Sequence, residues 1–239
     1  MPHRISHVNA QAILQYDSPH QFEPLMPSEA ALAPLLEAAS DLTRKATALG
    51  TASGKTAQSE LRKLLRSMNS YYTNRIEGEH TRPSDIERAL QQDFSANADL
   101  ARKQRLAVAH IRTEELCEGE LNRRLAEDGD QATRWLYSTE ALTWLHRELF
   151  RDLPADDLRL VDGSVMVPGE VRRRGVAIGR HEAPTWESLP RFLERWQQVY
   201  AGTRRGEASV VALAAAHHRL AWMHPFLDGN GRVTRLHTH

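Results

Sequence analysis

The sequence predicts a mainly α fold, a helical core carrying a small β-hairpin placed before its last two helices. Three observations lead there. Apolar residues recur at helical spacing, as in Leu32, Leu35, Leu36 and Leu42, and again in Leu61, Leu64, Leu65 and Met68. Helix punctuation stands around such runs, with Ser28, Pro83 and Ser138 as starts and Gly78 and Gly129 as stops. Only between 154 and 183 do Pro154, Gly163, Pro168, Gly169, Gly175 and Gly179 cut the chain into short apolar pieces.

Taken in order, residues 1–27 carry Pro2, Pro19, Pro24 and Pro27 and predict an irregular arm. A helix is expected from Ser28 to about Gly50, followed by a loop over 51–57. A second helix leads to Ile76, and a third starts at Pro83-Ser84-Asp85. A long amphipathic helix is expected over 98–118, with Gly129 breaking the next one, and another begins at Ser138. Val165-Met166-Val167 and Val176-Ala177-Ile178 are the strand candidates. Helices resume at about 186–201 and 207–223. We divide the chain into a helical region, 1–97, and a core, 98–239.

Composition narrows the function classes. Of 239 residues, 41% are hydrophobic and 26% charged, the profile of a globular protein. Net charge is zero, so no basic excess points to nucleic acid or an anionic membrane, although Arg172, Arg173 and Arg174 form a short basic run. Cys117 is the single cysteine, has no internal partner and suits a reducing compartment. No leader is visible and no apolar run reaches membrane-spanning length, so the expected location is the cytoplasm.

The chemistry concentrates in residues 224–235, His-Pro-Phe-Leu-Asp-Gly-Asn-Gly-Arg-Val-Thr-Arg. Pro225 disfavours helical geometry at His224, so the preceding helix should end there. Gly229 and Gly231 flank Asn230 and let backbone N–H groups approach a ligand, and a helix beginning near Gly231 adds unpaired donors and a dipole that favour an anion. Arg232 and Arg235, three apart, share a helical face, and their guanidinium forks suit phosphate oxygens. Asp228 is a hard oxygen ligand of the kind Mg²⁺ takes alongside phosphates. His224 accepts a proton near neutral pH. Each feature alone is ordinary: a turn, a cap or a solvated face. Together they equip the chain for phosphoryl or nucleotidyl transfer to a hydroxyl.

This stretch resembles the Fic family, matching every defined position of its HPFx[D/E]GNGRxxR signature. The helix ending in His217-His218-Arg219-Leu220-Ala221-Trp222-Met223, the segment Pro168-Gly169-Glu170-Val171-Arg172 and the run Leu145-His146-Arg147-Glu148-Leu149 resemble family elements as well. Thr73-Asn74-Arg75-Ile76-Glu77-Gly78 is similar to the family's inhibitory motif, [S/T]xxxE[G/N], and its position resembles the subgroup with an inhibitory helix on the N-terminal side.

The resemblance implies a protein adenylyltransferase that moves AMP from ATP to a Ser, Thr or Tyr hydroxyl of a target protein, with auto-modification or AMP removal as companion activities. His224 would be the base. Asp228 would hold Mg²⁺, while Gly229, Asn230, Gly231 and Arg232 cradle phosphates and Arg235 holds the γ-phosphate. Thr73, Glu77 and Gly78 would be inhibitory, with Glu77 taking the fork of Arg235. A flap at Gly175, Val176, Ala177, Ile178 and Gly179 would pin the target by strand pairing. ATP and Mg²⁺ are the implied substrate and cofactor; the target is not legible, membrane and nucleic acid are not expected partners, and a homo-oligomer stays open.

The family's core usually continues past this motif, whereas here the sequence closes four residues after Arg235. A helix from Gly231 to His239 spans only about 13 Å and is expected to lack part of its packing. Two rival readings stay open: the same fold with another donor (UMP, phosphocholine or phosphate), and a vestigial regulatory binding module. Gly50 to Thr56 misses the P-loop spacing by one residue and has no strand before it. His217, His218, His224, His237 and His239 lack zinc-motif spacing, and Cys117 has no neighbouring His in its helical pattern.

Overall fold

In the computed structural model, which describes residues 15–129, 131–202 and 204–239, the described residues fold as nine α-helices and one two-stranded hairpin. The helices are α1 (Glu29–Ala52), α2 (Lys55–Ile76), α3 (Pro83–Leu90), α4 (Ala98–Asp128), α5 (Gln131–Leu136), α6 (Thr139–Phe150), α7 (Leu189–Tyr200), α8 (Glu207–Met223) and α9 (Asn230–Thr238). Strands β1 (Ala177–Ile178) and β2 (His181–Glu182) pair antiparallel, with Ala177 opposite Glu182 and Ile178 opposite His181. Short 3₁₀ turns occupy Pro19–Phe22 and Ala155–Leu158. The beginning of the expected irregular arm, residues 1–14, lies outside the described residues.

The mainly α reading holds; three helices, α7, α8 and α9, follow the hairpin where two were expected, and most other departures are at boundaries. Helix α1 runs through Gly50 to Ala52 and α2 starts at Lys55, so the loop expected over 51–57 shrinks to Ser53-Gly54. The Gln58 amide explains this by donating to the Gly50 and Ser53 carbonyls at 2.8 and 2.9 Å, supplying orphan acceptors at the end of α1. The helix expected over 98–118 continues through Gly119 to Asp128, because packing against α5 and α6 outweighs the helix penalty of one glycine. Gly129, at φ 54°, then ends it. Of the strand candidates at 165–167, only a single bridge, Val165 to Arg159, forms. Ser138 caps α6 as expected, its Oγ accepting from Ala141 N at 3.1 Å.

The core is built from α4, α6, α7, α8 and α9. Leu142, Leu145, Leu149 and Phe150 of α6 share one buried cluster with Leu220 and Met223 of α8, Val233 and Leu236 of α9, and Phe192 and Trp196 of α7. Trp196 Nε1 donates to Ala216 O at 3.0 Å, so the indole is buried with its polar atom paired. Six of the nine residues of α9 are buried, including Val233, Leu236 and His237, so this short helix is firmly seated on α6 and α8. Beside it lies an apolar cleft of about 380 Å³ bordered by Trp144, Leu213 and Leu236.

Helix α2 is fastened to α4 by polar contacts more than by its leucines. Leu61, Leu64, Leu65 and Met68 remain exposed. Buried Ser70 instead donates to Ala107 O at 2.7 Å, Asn69 bonds Glu114 at 3.0 Å, and Arg66 reaches Glu115 and Glu118. After α2, Glu79 receives both ends of the Arg102 fork, at 2.8 and 2.6 Å. This clamp sets the end of α2 over the start of α9.

Candidate active site

The site is built at the junction of α8, the loop 224–229 and α9, with α6 beneath and the end of α2 above. Helix α8 ends at Met223, and His224 takes φ 47°, ψ 65°, a left-handed conformation costly for a residue with a Cβ. Its Nδ1 lies against Ala221 O. A carbonyl can only accept, so Nδ1 carries the proton and the lone pair of the neutral ring sits on Nε2. Burial pushes the imidazole below its ordinary pKa, opposed by the Ala221 carbonyl; His181 and Arg172 push it lower and Glu77 raises it.

The loop is closed from within. Asn230 Oδ1 accepts from Phe226 N and its Nδ2 donates to Phe226 O, both at 2.8 Å, so this side chain shapes the loop while its backbone remains at the head of α9. Gly229 has φ 75°, and a Cβ there would stand 2.4 Å from Phe150 Cε2. Only glycine meets both demands. From below, His146 stacks on Phe226 with ring centroids 4.0 Å apart. Gly169 N donates to its Nδ1 at 2.7 Å, so its Nε2 bears the proton and donates to Asp228 O at 3.2 Å. Burial holds this ring neutral, its pKa pushed down to about 4.

Arg232 is buried and its Nη2 reaches Asp228 Oδ2 at 3.3 Å. Its Nε and Nη1 are buried without a partner, and the guanidinium carbon lies 5.1 Å from the Phe150 ring centre. Unpaired buried donors of a cation are costly, and beside a helix N-terminus they favour an anion nearby. Asp228 is exposed; its Oδ1 accepts from Gly229 N at 2.6 Å.

Above the head of α9 sit Thr73 and Glu77. Arg235 Nε donates to the buried Thr73 hydroxyl at 2.6 Å, and Arg235 Nη2 pairs with Glu77 Oε1. The same carboxylate oxygen would lie 2.2 Å from a Cβ placed on Gly231. Glu77 thus rests directly over the second glycine of the cradle. Gly78, at φ 82°, ends the segment so that α2 stops at this contact.

The structure brings Thr73, Glu77, His224, Asp228, Gly229, Asn230, Gly231, Arg232 and Arg235 together. Gly175, Val176, Ala177, Ile178 and Gly179 form the first arm and turn of the β1–β2 hairpin, exposed apart from half-buried Val176. His181 on β2 ties this hairpin to the site by donating to Trp222 O at 2.8 Å. Cys117 lies away on α4, its thiol pushed up to about 12 by burial. Gly50 to Thr56 spans the α1–α2 turn.

Two residues escaped the sequence reading. His146 had a readable signal, since it shares the apolar stripe of Leu142, Leu145, Leu149 and Phe150. Arg172 closes the family-like segment Pro168-Gly169-Glu170-Val171-Arg172, but nothing marked this one of three consecutive arginines for burial. The basic run proves not to be a patch: Arg172 is buried, while Arg173 pairs with Glu170 and Arg174 with Asp162.

A family model described as Fic/DOC family matches residues 136–239. A protein adenylyltransferase Fic of Drosophila yakuba is 32% identical over 128 residues, covering 48% of this chain and 26% of that protein. The like-named protein of Drosophila ananassae is 38% identical over 69 residues, 28% of this chain and 14% of that protein. The chain thus spans about a quarter or less of these relatives. The crystal structure of a Fic family protein from Desulfovibrio desulfuricans G20 superposes with a TM-score of 0.65 at 20% identity, covering 90% of this chain and 58% of that one, a likeness of fold. The family signature lies inside the matched segment and the same mainly α fold surrounds it, so residues 136–239 carry the segment that matches the Fic/DOC family.

Proposed function

We propose that this chain transfers AMP from ATP to a hydroxyl of a protein and that Glu77 holds it in an inhibited state. The observation that carries the reading is the carboxylate of Glu77 lodged in the fork of Arg235 and pressed over Gly231, beside an arginine whose buried donors lack an acceptor. An anion of the chain's own occupies the mouth of an anion receptor.

The chemistry follows from the arrangement. The target hydroxyl attacks the α-phosphorus of ATP, its proton passes to His224 Nε2, and the bond to the bridging oxygen breaks to release pyrophosphate. Backbone donors at Gly229, Asn230 and Gly231, with Arg232, neutralise the phosphates as charge shifts to the leaving group. Arg235 holds the γ-phosphate and so orients the α-phosphorus for in-line attack. A Mg²⁺ ion fits the donor set, since one exposed carboxylate, Asp228, stands beside a phosphate site, and that is the way this ion is usually held. When bound it would neutralise charge on the phosphate oxygens.

The exposed hairpin of Ala177 and Ile178 offers backbone edges for an extended target segment. No helix among the described residues is long and apolar enough to cross a membrane, and the lone reduced cysteine suits the cytoplasm as the setting.

Intact-mass spectrometry tests the reading. The Glu77→Gly chain, incubated with Mg²⁺ and cell lysate plus ATP, UTP or CDP-choline, is expected to add AMP to protein from ATP only. The Glu77→Gly chain carrying His224→Ala should add none, and Asp228→Ala should lower turnover strongly and weaken the Mg²⁺ dependence. Transfer from UTP or CDP-choline instead would replace the donor, and ATP binding without any transfer would favour a regulatory module.

A further inference from the structure

We infer that Arg172 is a positioning residue for His224, locking the base-bearing turn and the flap hairpin into one unit through the backbone carbonyls of both. This rests on the reading of His224 as the base. Arg172 is 2% exposed, and among the described residues no carboxylate pairs with it. A buried guanidinium without a counter-anion is costly, and desolvation pushes its pKa down to about 10, which still leaves it a cation at neutral pH. What holds it there is a set of carbonyls. Nε donates to His224 O at 2.7 Å, Nη1 to Arg174 O at 2.9 Å, and Nη2 to Pro184 O at 2.6 Å and Met223 O at 3.3 Å. Its own N–H donates to Pro225 O at 2.9 Å.

The partners explain the placement. Met223 O and His224 O are acceptors that the end of α8 leaves without helical donors, and a cation suits the negative end of the helix dipole. Arg174 O and Pro184 O lie just before and just after the hairpin arms, so one planar fork spans the flap base and the catalytic turn. His224 sits in a left-handed conformation that persists only where its surroundings over-determine it. The bond from Arg172 to the His224 carbonyl supplies that constraint on the main chain, as the Ala221 contact does on the ring.

Two roles can therefore be separated. The fork fixes geometry, and the charge disfavours protonation of His224. The other groups acting on that imidazole are His181 on β2, which also disfavours protonation, and Glu77 at the end of α2 together with the Ala221 carbonyl, which favour it. Lysine keeps the charge but offers no planar fork; glutamine gives up both.

The test uses the Glu77→Gly chain, with Arg172→Lys or Arg172→Gln added. Transfer rates are measured against ATP and pH, and the His224 ring is titrated by NMR. Both variants should lower kcat on the order of a hundredfold with little change in KM for ATP. In Arg172→Gln the His224 titration and the acid limb of the rate profile should both move to higher pH, whereas Arg172→Lys should leave the titration in place. A lysine variant with full kcat, or a glutamine variant with unmoved His224 titration and unmoved kcat, would overturn the inference. Should the substituted chains not fold, guanidinium NMR on the unsubstituted protein decides: hindered rotation and a slowly exchanging Nε–H are expected, and free rotation refutes the lock. Transfer by the Glu77→Gly, His224→Ala chain as fast as by Glu77→Gly would instead remove the base reading, and the NMR titration would still report on Arg172.

Discussion

Glu77 and Arg235 stand 158 positions apart in the chain and meet as an ion pair at the head of α9. The pair is partly screened, with the Glu77 side chain 33% and that of Arg235 21% exposed. One guanidinium cannot offer the same donors to a carboxylate and to a phosphate.

Removing the carboxylate should therefore free the fork. Glu77→Gly is expected to raise AMP transfer by about ten- to a thousandfold, since a partly buried charge pair is worth a few kcal/mol and each 1.4 is about tenfold in rate. Adding Arg235→Ala should cancel most of the gain. Radiolabelled ATP measures both; a double variant as active as Glu77→Gly alone would disconnect the two residues.

Thr73 offers a finer version of the same test. Its buried hydroxyl accepts from Arg235 Nε, the donor next to the Nη2 that Glu77 takes. Thr73→Val keeps the shape and removes the acceptor; a hydrogen bond to a charged group contributes about 1.5–3 kcal/mol, but because Glu77 still holds the fork only part of it is released and activation of about tenfold or less is expected. A Thr73→Val chain more active than Glu77→Gly would assign the main restraint to the wrong residue.

The glycine above Phe150 predicts a stability effect. Gly229→Ala puts a Cβ 2.4 Å from Phe150 Cε2 at a φ of 75°, and overpacking plus backbone strain should cost about 2–4 kcal/mol. Urea unfolding measures this. Combining it with Phe150→Leu should recover the steric part and leave about 1 kcal/mol of conformational penalty. No shift in midpoint for Gly229→Ala would mean the loop yields freely.

Besides His146, two buried histidines predict the acid sensitivity of the fold. His110 on α4 and His237 on α9 are held neutral by burial, with pKa values pushed down to about 3 and about 4. In the unfolded chain they protonate near about 6.5, so the unfolded state binds more protons as pH falls below that value. Each then removes about 1.4 kcal/mol of stability per pH unit down to its folded pKa, and above about 6.5 neither contributes a slope. Urea midpoints at pH 7.5, 6.5, 5.5 and 4.5 check the sign, and a flat profile from 6.5 to 4.5 would contradict it.

Much of this was legible along the chain because it is local. The twelve residues from His224 to Arg235 carry base, carboxylate, glycines and arginines at spacings set by one turn and one helix, and the structure keeps them in that order on the loop and α9. Thr73 and Glu77, one helical turn apart, point the same way on α2. Helix ends went astray where side chains elsewhere supplied what the local sequence lacked. Gln58 satisfied the end of α1, and tertiary packing carried α4 past Gly119. The leucines of α2 fall at helical spacing but stay exposed, and Ser70, Asn69 and Arg66 make the attachment to α4.

By itself the sequence determined the helical class, the position of the hairpin and the group of residues able to handle a phosphate, since periodicity, glycine placement and a contiguous motif need no long-range contact. The tertiary structure alone decided that Glu77 lies over Gly231, that Arg232 keeps buried donors unpaired, and that Arg172, the first of three consecutive arginines, turns inward to the turn of His224. Those outcomes depend on how α2 seats on α4 and how the flap closes on α8, and a carbonyl exposed by the end of one helix can select an arginine from any distance along the chain.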